Sequence, residues 1–499
     1  MDEDQEKAVQ LAKSGKSFFL TGAGGTGKSY VIRNIIEALH QASKDVSLTA
    51  MTGCAALLLG KMAKTLHSWA GIGLGKEELP ILISKIRKNK KPSAHWKVCD
   101  TLIIDEVSMM TPDLLDKLDE IAKAVRKSKE PFGGIQLILV GDMYQLPPVS
   151  RDTKTFFVFE SEFWKKHITR SVTLKTIHRQ SDPIFLKVLG EARAGSLSKE
   201  SIDILNTRKT KAWKKLEIKP TLLFTRRADV EEINRTQLSK CEGEDVVFVA
   251  RTKKTPQHFT EFRTKEMIAT MIEKADKSGA YVPELRLRKG AQVMYLINGI
   301  HKDKDQMEED IRLIYMEPKP EDMTNDEWWA SKRDRVNQIK QDYDEETNHI
   351  VNGSRGIVEG FTLDGYPIVK FITGEMHTIR IHTWPAEEGL QRQQVPLRLA
   401  YAITIHKAQG ATLDCALIDI GPNTFEYGQA YVALSRVKSL DSLYIWELDP
   451  SAFRVNPKVK AYLDSLQNQT FPETISDQSI PISASCIDLS ATDKEVVCS

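Results

Sequence analysis

The chain is 499 residues long, 41% hydrophobic and 28% charged, with a formal net charge of +2. That length exceeds one ordinary core and predicts two to four domains of a soluble globular protein. The near-neutral balance announces no polyanionic partner globally, although a basic groove could still form locally. Six cysteines (54, 99, 241, 415, 486 and 498) show no CxxC pair and no zinc spacing. They predict thiols in a reducing compartment rather than a structural metal. No apolar run reaches the ~18 residues of a membrane span and the start is acidic, so the expectation is a soluble intracellular protein with no membrane partner, cytoplasm and nucleus both open.

Residues 1–16 read as a short helical lead-in carrying Gln5. The apolar run Phe18-Phe19-Leu20 leads into Gly22-Ala-Gly-Gly-Thr-Gly-Lys28-Ser29, and a helix is expected over Tyr30 to Ala42. Strand, glycine-rich loop and helix in that order form a phosphate-binding loop. Closely spaced glycines let backbone N–H groups turn toward phosphate oxygens, and the helix start adds unpaired N–H groups and the positive end of its dipole. Gly22, Gly24, Gly25, Thr26 and Gly27 would form the cradle. Lys28 would sit at the β/γ-phosphates, and Ser29 would offer its hydroxyl to Mg²⁺.

Val46–Ala50 reads as a strand running into Met51-Thr52-Gly53-Cys54-Ala55-Ala56, followed by Thr65-Leu-His67-Ser68-Trp69 and a basic stretch from Lys85 to Lys91. Val98 to Asp105 reads as an apolar strand ending in Asp105-Glu106. One carboxylate would hold Mg²⁺ and the next would orient or deprotonate water; the alternative is a solvated acidic pair. From Leu114 to Val125 the apolar residues recur at helical spacing. Gln136–Val140 is a further strand, running into Gly141-Asp142-Met-Tyr-Gln145-Leu-Pro147-Pro148. Gln145 would sense a γ-phosphate, or else is a turn residue. Alternating strands and helices with polar residues at strand ends indicate a doubly wound parallel sheet with its site along that edge.

The pattern then restarts with a strand at Pro220–Phe224 and a helix over Arg226 to Lys240. Between Glu242 and Val395 come short β-prone pieces with Gly turns: Val246–Ala250, Ala291–Leu296, Gly356–Gly360, Ile368–Ile372 and Met376–Ile381. They predict a small β-barrel inserted in a second α/β domain, which resumes at Pro396–Thr404, Cys415–Ile420 and Leu443–Trp446. The domain boundaries are 1–170; 171–241 with 396–455; 242–395; and 456–499. Residues 299–348 are charged, with Trp329, Val336, Ile339 and Tyr343 placed to share a helix face. After Thr470 the chain turns Ser-rich, which predicts a disordered tail. An arginine facing another domain's γ-phosphate would make cleavage depend on domain closure. Arg179 in Ile177-His178-Arg179-Gln180 and Arg436 in Tyr431-Val-Ala433-Leu-Ser435-Arg436 are the candidates, against the plainer reading of each as a surface arginine.

Gln5, GAGGTGKS, TGCAA, TLHSW, IIDEVSM, VGDMYQLPPV, HRQ, NGSRG, TIHKAQG and YVALSR occur in the order and approximate spacing of superfamily-one helicases that move 5′ to 3′. The sequence most resembles the Pif (petite integration frequency) branch. Asp113 to Ala122 looks like that branch's signature helix, which RecD- and Dda-type relatives fit less well. The resemblance spans roughly residues 2–450. It implies two RecA-like motor domains with ATP between them, a wedge insertion within about 70–97, and a Src-homology-three-like barrel in the second domain. It places Gln5 at adenine and Lys28 at the phosphates, Ser29 and Asp105 at Mg²⁺, and Glu106 at the attacking water. Gln145, Arg179, Gln409, Gly410 and Arg436 would lie at or respond to the γ-phosphate. Thr52, Gly53, Thr65, His67, Ser68, Trp69, Asn352, Thr404, His406 and Lys407 would face single-stranded DNA. Trp69, where Phe is frequent, keeps a ring that could stack on a base, and Ala408 stands where Ser is commoner. The 299–348 insertion has no counterpart in compact members; it reads as a solvated elaboration or a partner- or DNA-contacting arm. The implied function is a monomeric ATP-dependent DNA helicase acting on tailed duplex or structured DNA, with protein partners possible through 299–348 or the tail. A translocase without processive unwinding and a P-loop ATPase switch are the alternatives.

Overall fold

The computed structural model describes residues 1–60, 63–73, 75, 77–148, 156–254, 264–277, 281–297, 311–320, 323–345, 350–385 and 390–467. The first unit is built on β1 (Phe18–Gly22), β2 (Val46–Ala50), β3 (Lys64–Thr65), β4 (Thr101–Asp105), β5 (Gln136–Gly141) and β6 (Ser171–Leu174). They form one sheet in the order β3-β2-β4-β5-β1-β6, parallel throughout. The continuous apolar runs are explained by helices on both faces, because successive side chains enter opposite cores. Phe18, Leu20, Ile103, Ile138 and Val140 pack with Ala8, Val31, Ile32 and Ile35 on one face. Phe19, Leu102, Ile104, Leu137 and Leu139 pack on the other, against Leu115, Leu118 and Ile121.

The expected elements are present with shifted ends. The helix after the loop spans Lys28–Gln41, and that over 114–125 spans Pro112–Arg126, capped by Thr111. Val98 is not in a strand: it ends a helix, Lys90–Val98, and β4 starts at Thr101. With Leu79–Lys88 this helix forms most of the described part of 70–97, and Leu82, Ile86 and Trp96 bury into the core of the first unit. The boundary at 170 falls too early, since β6 pairs with β1 from Phe19↔Ser171 to Gly22↔Leu174. As an edge strand it is buried on one side only, and Ser171 and Thr173 hid it from an apolar-run search.

The second unit starts with the helix Pro183–Ala194, whose Phe185, Val188 and Leu189 enter its core, followed by β7 (Thr221–Phe224) and a helix, Arg227–Ser239. The chain then leaves through β8 (Val246–Val249), β9 (Arg251–Lys254), β10 (Glu284–Leu287), β11 (Gln292–Tyr295), β12 (Arg355–Phe361), β13 (Pro367–Phe371), β14 (Met376–Thr378), β15 (His382–Pro385), β16 (Leu390–Gln394) and β17 (Leu397–Leu399). These pair as three antiparallel sheets, β10-β8, β14-β13-β12-β11-β17 and β15-β16-β9. Leu285, Val293, Val358, Phe371, Trp384 and Leu397 share one core between them. The chain returns through β18 (Ala402–Thr404), β19 (Ala416–Ile420) and β20 (Leu443–Leu448), which with β7 form a parallel sheet, β18-β7-β19-β20. Pro396–Thr404 is therefore two strands: β17 pairs antiparallel with β11, and only β18 belongs to the second α/β unit. Arg355, 1% exposed, ties the two parts together by donating from Nε to Asp414 Oδ1 at 2.8 Å.

Within 299–348 the described residues form a helix over 311–316 and another over Asn325–Glu345. Their contact face is carried by Val336 and by Lys332, whose amine donates to the Tyr315 and Glu317 carbonyls, each at 2.9 Å, and lies 4.0 Å from the Trp328 ring centroid. Of the residues placed to share a helix face, Val336 is buried and Trp329 is 48% exposed; the Tyr343 side chain lies outside what is described. At the C-terminal end a helix, Pro457–Gln467, turns back onto the first unit and buries Val459 and Leu463 there. The predicted tail after 470 lies outside the described residues.

Candidate functional site

β1 delivers the chain into the loop, which turns through Gly25 (φ 90°) and Gly27 (φ 83°) and enters the helix at Lys28. Both conformations favour glycine, and Gly25 also lacks room: an added Cβ would lie 2.6 Å from Arg179 Cβ. Its carbonyl accepts the His178 and Arg179 N–H groups at 2.8 and 3.2 Å, so the segment after β6 closes over the loop. Lys28 Nζ donates to the Gly22 and Ala23 carbonyls at 2.8 and 3.0 Å, and buried Thr26 donates to Ala23 at 3.0 Å. Burial lowers the Lys28 pKa, opposed by the charges of Asp142, Glu106 and Asp105. Ser29 is exposed at the start of the helix. Gln5, in a capping box with Asp2, lies beside the loop, 3.3 Å from His178 Nε2 and 3.1 Å from where a Gly27 Cβ would stand.

Asp105 ends β4, and its carboxylate accepts the Glu106 N–H at 2.9 Å while Glu106 adopts φ 55°. Burial, then the neighbouring Glu106 charge, push the Asp105 carboxyl up to about 7. Gln145 follows β5 and is buried. Gln409, from the second unit, donates from Nε2 to Glu106 Oε2 at 2.9 Å and approaches Gln145 Oε1 at 3.5 Å. The adjacent Gly410 (φ 79°) has no room for a Cβ, which would meet Leu58 of the helix Gly53–Leu59 at 2.7 Å. Loop, carboxylates, Gln145 and Gln409 thus converge on one cleft between the two parallel sheets.

The arginines are there too, but held differently from one another. Half-buried Arg179 donates to the Ser435 carbonyl at 3.1 Å. Arg436 is 2% exposed and turned into its own unit, bonding Val432 O at 2.9 Å, Ser435 Oγ at 2.6 Å and the Ala411 and Ala408 carbonyls at 3.3 and 3.4 Å. It is no surface arginine. Burial, then the Arg179 charge, lower its pKa to about 10.

Three cleft residues escaped the sequence reading. Asp142, fully buried at the end of β5, is gripped by Arg193 (Nη2–Oδ1 2.9 Å, Nε–Oδ2 3.2 Å). Tyr431 places its hydroxyl 2.9 Å from the Gly24 N–H and 3.3 Å from Asp142 Oδ2. Asp142 and Tyr431 lie inside VGDMYQLPPV and YVALSR, where a polar residue just past a strand end (Asp142) was a usable signal; Arg193, a lone arginine near a helix end, gave none.

Most of the residues expected at DNA occupy two matching places. Thr65 at the end of β3 caps the helix Leu66–Ala70, and Thr404 at the end of β18 caps Ile405–Ala408. Each threonine is followed two residues later by a histidine, His67 and His406, whose pKa burial lowers. Ser68 and Lys407 are exposed. Thr52 accepts the Ala55 N–H at 3.1 Å, with Gly53 starting that helix. Asn352 is half-buried in the turn before Gly353, which packs so closely on Thr412 that a Cβ would lie 2.5 Å from its carbonyl oxygen. Trp69, expected to face single-stranded DNA, is instead a core residue. It is 2% exposed, packed on Trp96 at 4.7 Å between ring centroids, and offers no face to a base.

Fold and loop define the class: an α/β protein whose two parallel sheets meet at a glycine-rich loop of phosphate-binding sequence. Residues 1–191 match the PIF1-like helicase family. The chain is 32% identical to the ATP-dependent DNA helicase RRM3 of Saccharomyces cerevisiae, covering 93% of this chain and 67% of that protein. It is 36% identical to the ATP-dependent DNA helicase PIF1 of Emericella nidulans, covering 91% of this chain and 62% of that one. Among solved structures, the Pif1 helicase of Candida albicans superposes with a TM-score of 0.70 at 32% identity, over 93% of this chain and 99% of that one. The Pif1 of Bacteroides sp in complex with ADP-AlF4 does so with 0.69 at 27%, over 93% and 97%. The chain belongs to the PIF1-like helicase family. It spans about three fifths of the length of the PIF1 relatives it matches. Among the described residues no helix is long and apolar enough to cross a membrane.

Proposed function

We propose that the chain is an ATP-dependent DNA helicase that moves 5′ to 3′ on single-stranded DNA and opens duplex DNA. The observation that carries it is the bond from Gln409 of the second unit to Glu106, the carboxylate beside the phosphate loop of the first. A catalytic carboxylate held from the opposite unit ties hydrolysis to the closing of one unit on the other. In this reading the two parallel sheets are RecA-like motors, the helices of 79–98 a wedge, and the antiparallel sheets a Src-homology-three-like barrel.

Lys28 and the loop amides would hold the triphosphate and Gln5 the adenine. Mg²⁺ fits the donor set, hard oxygens from Asp105 and Ser29 beside phosphate, since this ion is commonly held by one or two carboxylates plus phosphate oxygens. When bound, it would neutralise charge on the phosphates. Glu106 would take the proton of the attacking water while Gln409 orients that carboxylate and Gln145 senses the γ-phosphate. Arg179 lies against the loop already, whereas Arg436 would have to exchange backbone carbonyls for phosphate, a change that closure could drive. The paired threonine-capped helices at Thr65 and Thr404 would grip the DNA backbone alternately, which is sequence-tolerant and salt-sensitive. A Pif1 structure from Bacteroides, 27% identical with a TM-score of 0.60, is bound to single-stranded DNA and supports that partner.

Strand displacement on duplexes carrying a 5′ or a 3′ single-stranded tail, with ATP, Mg²⁺ and a Lys28→Ala control, tests the reading. Unwinding from the 5′ tail alone is expected. Opening only from a 3′ tail would reverse the polarity, and ATPase activity indifferent to single-stranded DNA would end the helicase reading.

A further inference from the structure

The phenol of Tyr431 has no task in the chemistry above, yet from the second unit it hydrogen-bonds the phosphate loop. It stands on the helix Gln429–Leu434 and is 3% exposed. Its oxygen accepts the Gly24 N–H at 2.9 Å, and its proton faces Asp142 Oδ2 at 3.3 Å. The direction of that proton is fixed, because Asp142 is a carboxylate clamped by Arg193 and cannot donate while ionised. A phenol that donates to an anion becomes a better acceptor, which strengthens the bond from the loop. Tyr431 is therefore wired at both ends to the first unit.

We propose that Tyr431 is a positioning residue that sets the register of the second unit on the phosphate loop, with Asp142 and Arg193 aiming its hydroxyl at the Gly24 amide. The proposal rests on the reading that this loop holds a nucleotide. Two close approaches make the register matter: a Cβ on Gly428 would lie 2.3 Å from the Tyr144 carbonyl oxygen and 2.9 Å from that of Gln145, while Ser435 Cβ stands at ordinary contact distance, 3.4 Å, from where a Gly24 Cβ would be. The helix between Gly428 and Ser435 is thus pressed against both the loop and the Gln145 segment. Its far end carries Ser435, whose carbonyl holds Arg179, and Arg436 follows. Freeing the phenol shifts Arg179 and Arg436 against the phosphates without removing any group that binds nucleotide.

The test is Tyr431→Phe, which keeps the ring and its packing and deletes the hydroxyl. Expected are an ATP Kd and KM within about twofold of the parent, a kcat lowered at least about tenfold, and a Tm lowered by no more than a few degrees, with the protein fully folded at the assay temperature. Asp142→Asn should act on the same quantity, and Tyr431→Phe with Asp142→Asn should be little worse than either alone. If Asp142→Asn does not fold, Arg193→Lys, which keeps the charge and loses the fork, takes its place. A phenol that merely fills the core predicts a parent-like kcat in Tyr431→Phe, and that result overturns the proposal, as does multiplicative loss in the double variant. A parent protein that neither binds nor hydrolyses ATP fails the functional reading itself; an active parent matched by Tyr431→Phe fails only the positioning role.

Discussion

Gln409 Nε2 stands 2.9 Å from Glu106 Oε2, a hydrogen bond between residues 303 positions apart that spans the cleft. Its partner carboxylate sits on a left-handed residue beside a buried aspartate. Gln409→Ala should leave ATP affinity near the parent value and lower kcat by roughly ten- to a hundredfold. Glu106→Gln should lower it by about 10²–10⁴, the usual range for a lost general base. Nucleotide titration and steady-state ATPase assays separate the two effects. A Gln409→Ala variant with unchanged kcat would reduce that bond to packing.

The C-terminal helix should be a structural strap. Tyr462 accepts the Trp164 indole N–H at 2.9 Å and stacks on Phe159 at 4.2 Å between centroids. Tyr462→Ala should cost about 2–4 kcal/mol, from lost aromatic burial and an orphaned indole donor. Thermal unfolding followed by tryptophan fluorescence should show a Tm drop of several degrees. No drop would mean that the helix leaves the first unit in solution.

Trp69 should behave as a core residue and not as a DNA contact. Its indole nitrogen is buried without an acceptor, so Trp69→Phe removes no hydrogen bond and should change stability by only about 1 kcal/mol. Trp69→Ala should cost about 3–5 kcal/mol. Single-stranded DNA affinity, measured below the unfolding transition, should stay within about twofold in both. A fully folded variant with markedly weaker DNA binding would return the ring to the DNA path.

Buried Cys99 and half-buried Cys415 should react slowly near neutral pH. Burial pushes both Cys99 and Cys415 up to about 11 from an ordinary 9.0. A raised thiol pKa means less thiolate, so at pH 8 the reactive fraction falls about a hundredfold below that of a free thiol. Iodoacetamide labelling mapped by mass spectrometry should show slow alkylation of both in the native protein and rapid alkylation in guanidinium. Fast native labelling of Cys99 would mean that the first unit opens locally at that end.

Much of the fold and half of the cleft were legible in the sequence because their causes are local. Phe18 to Leu20 is apolar on both faces, Gly25 and Gly27 supply conformations other residues resist, and Asp105-Glu106 closes an apolar run. These are properties of a few consecutive residues, so the order of residues alone determined an NTP-type loop, a strand-end carboxylate pair and a second α/β unit. Elements whose burial is one-sided or shared escaped that logic: β6 alternates with polar residues, and β17 resembles β18 until their partners are known. Only the tertiary structure decided which arginine lies against the loop, that Trp69 is core, and that Gly24 meets a phenol 407 residues away. Such contacts arise where the surfaces of the two units meet. Their geometry depends on the packing of both units, which no single stretch of chain encodes.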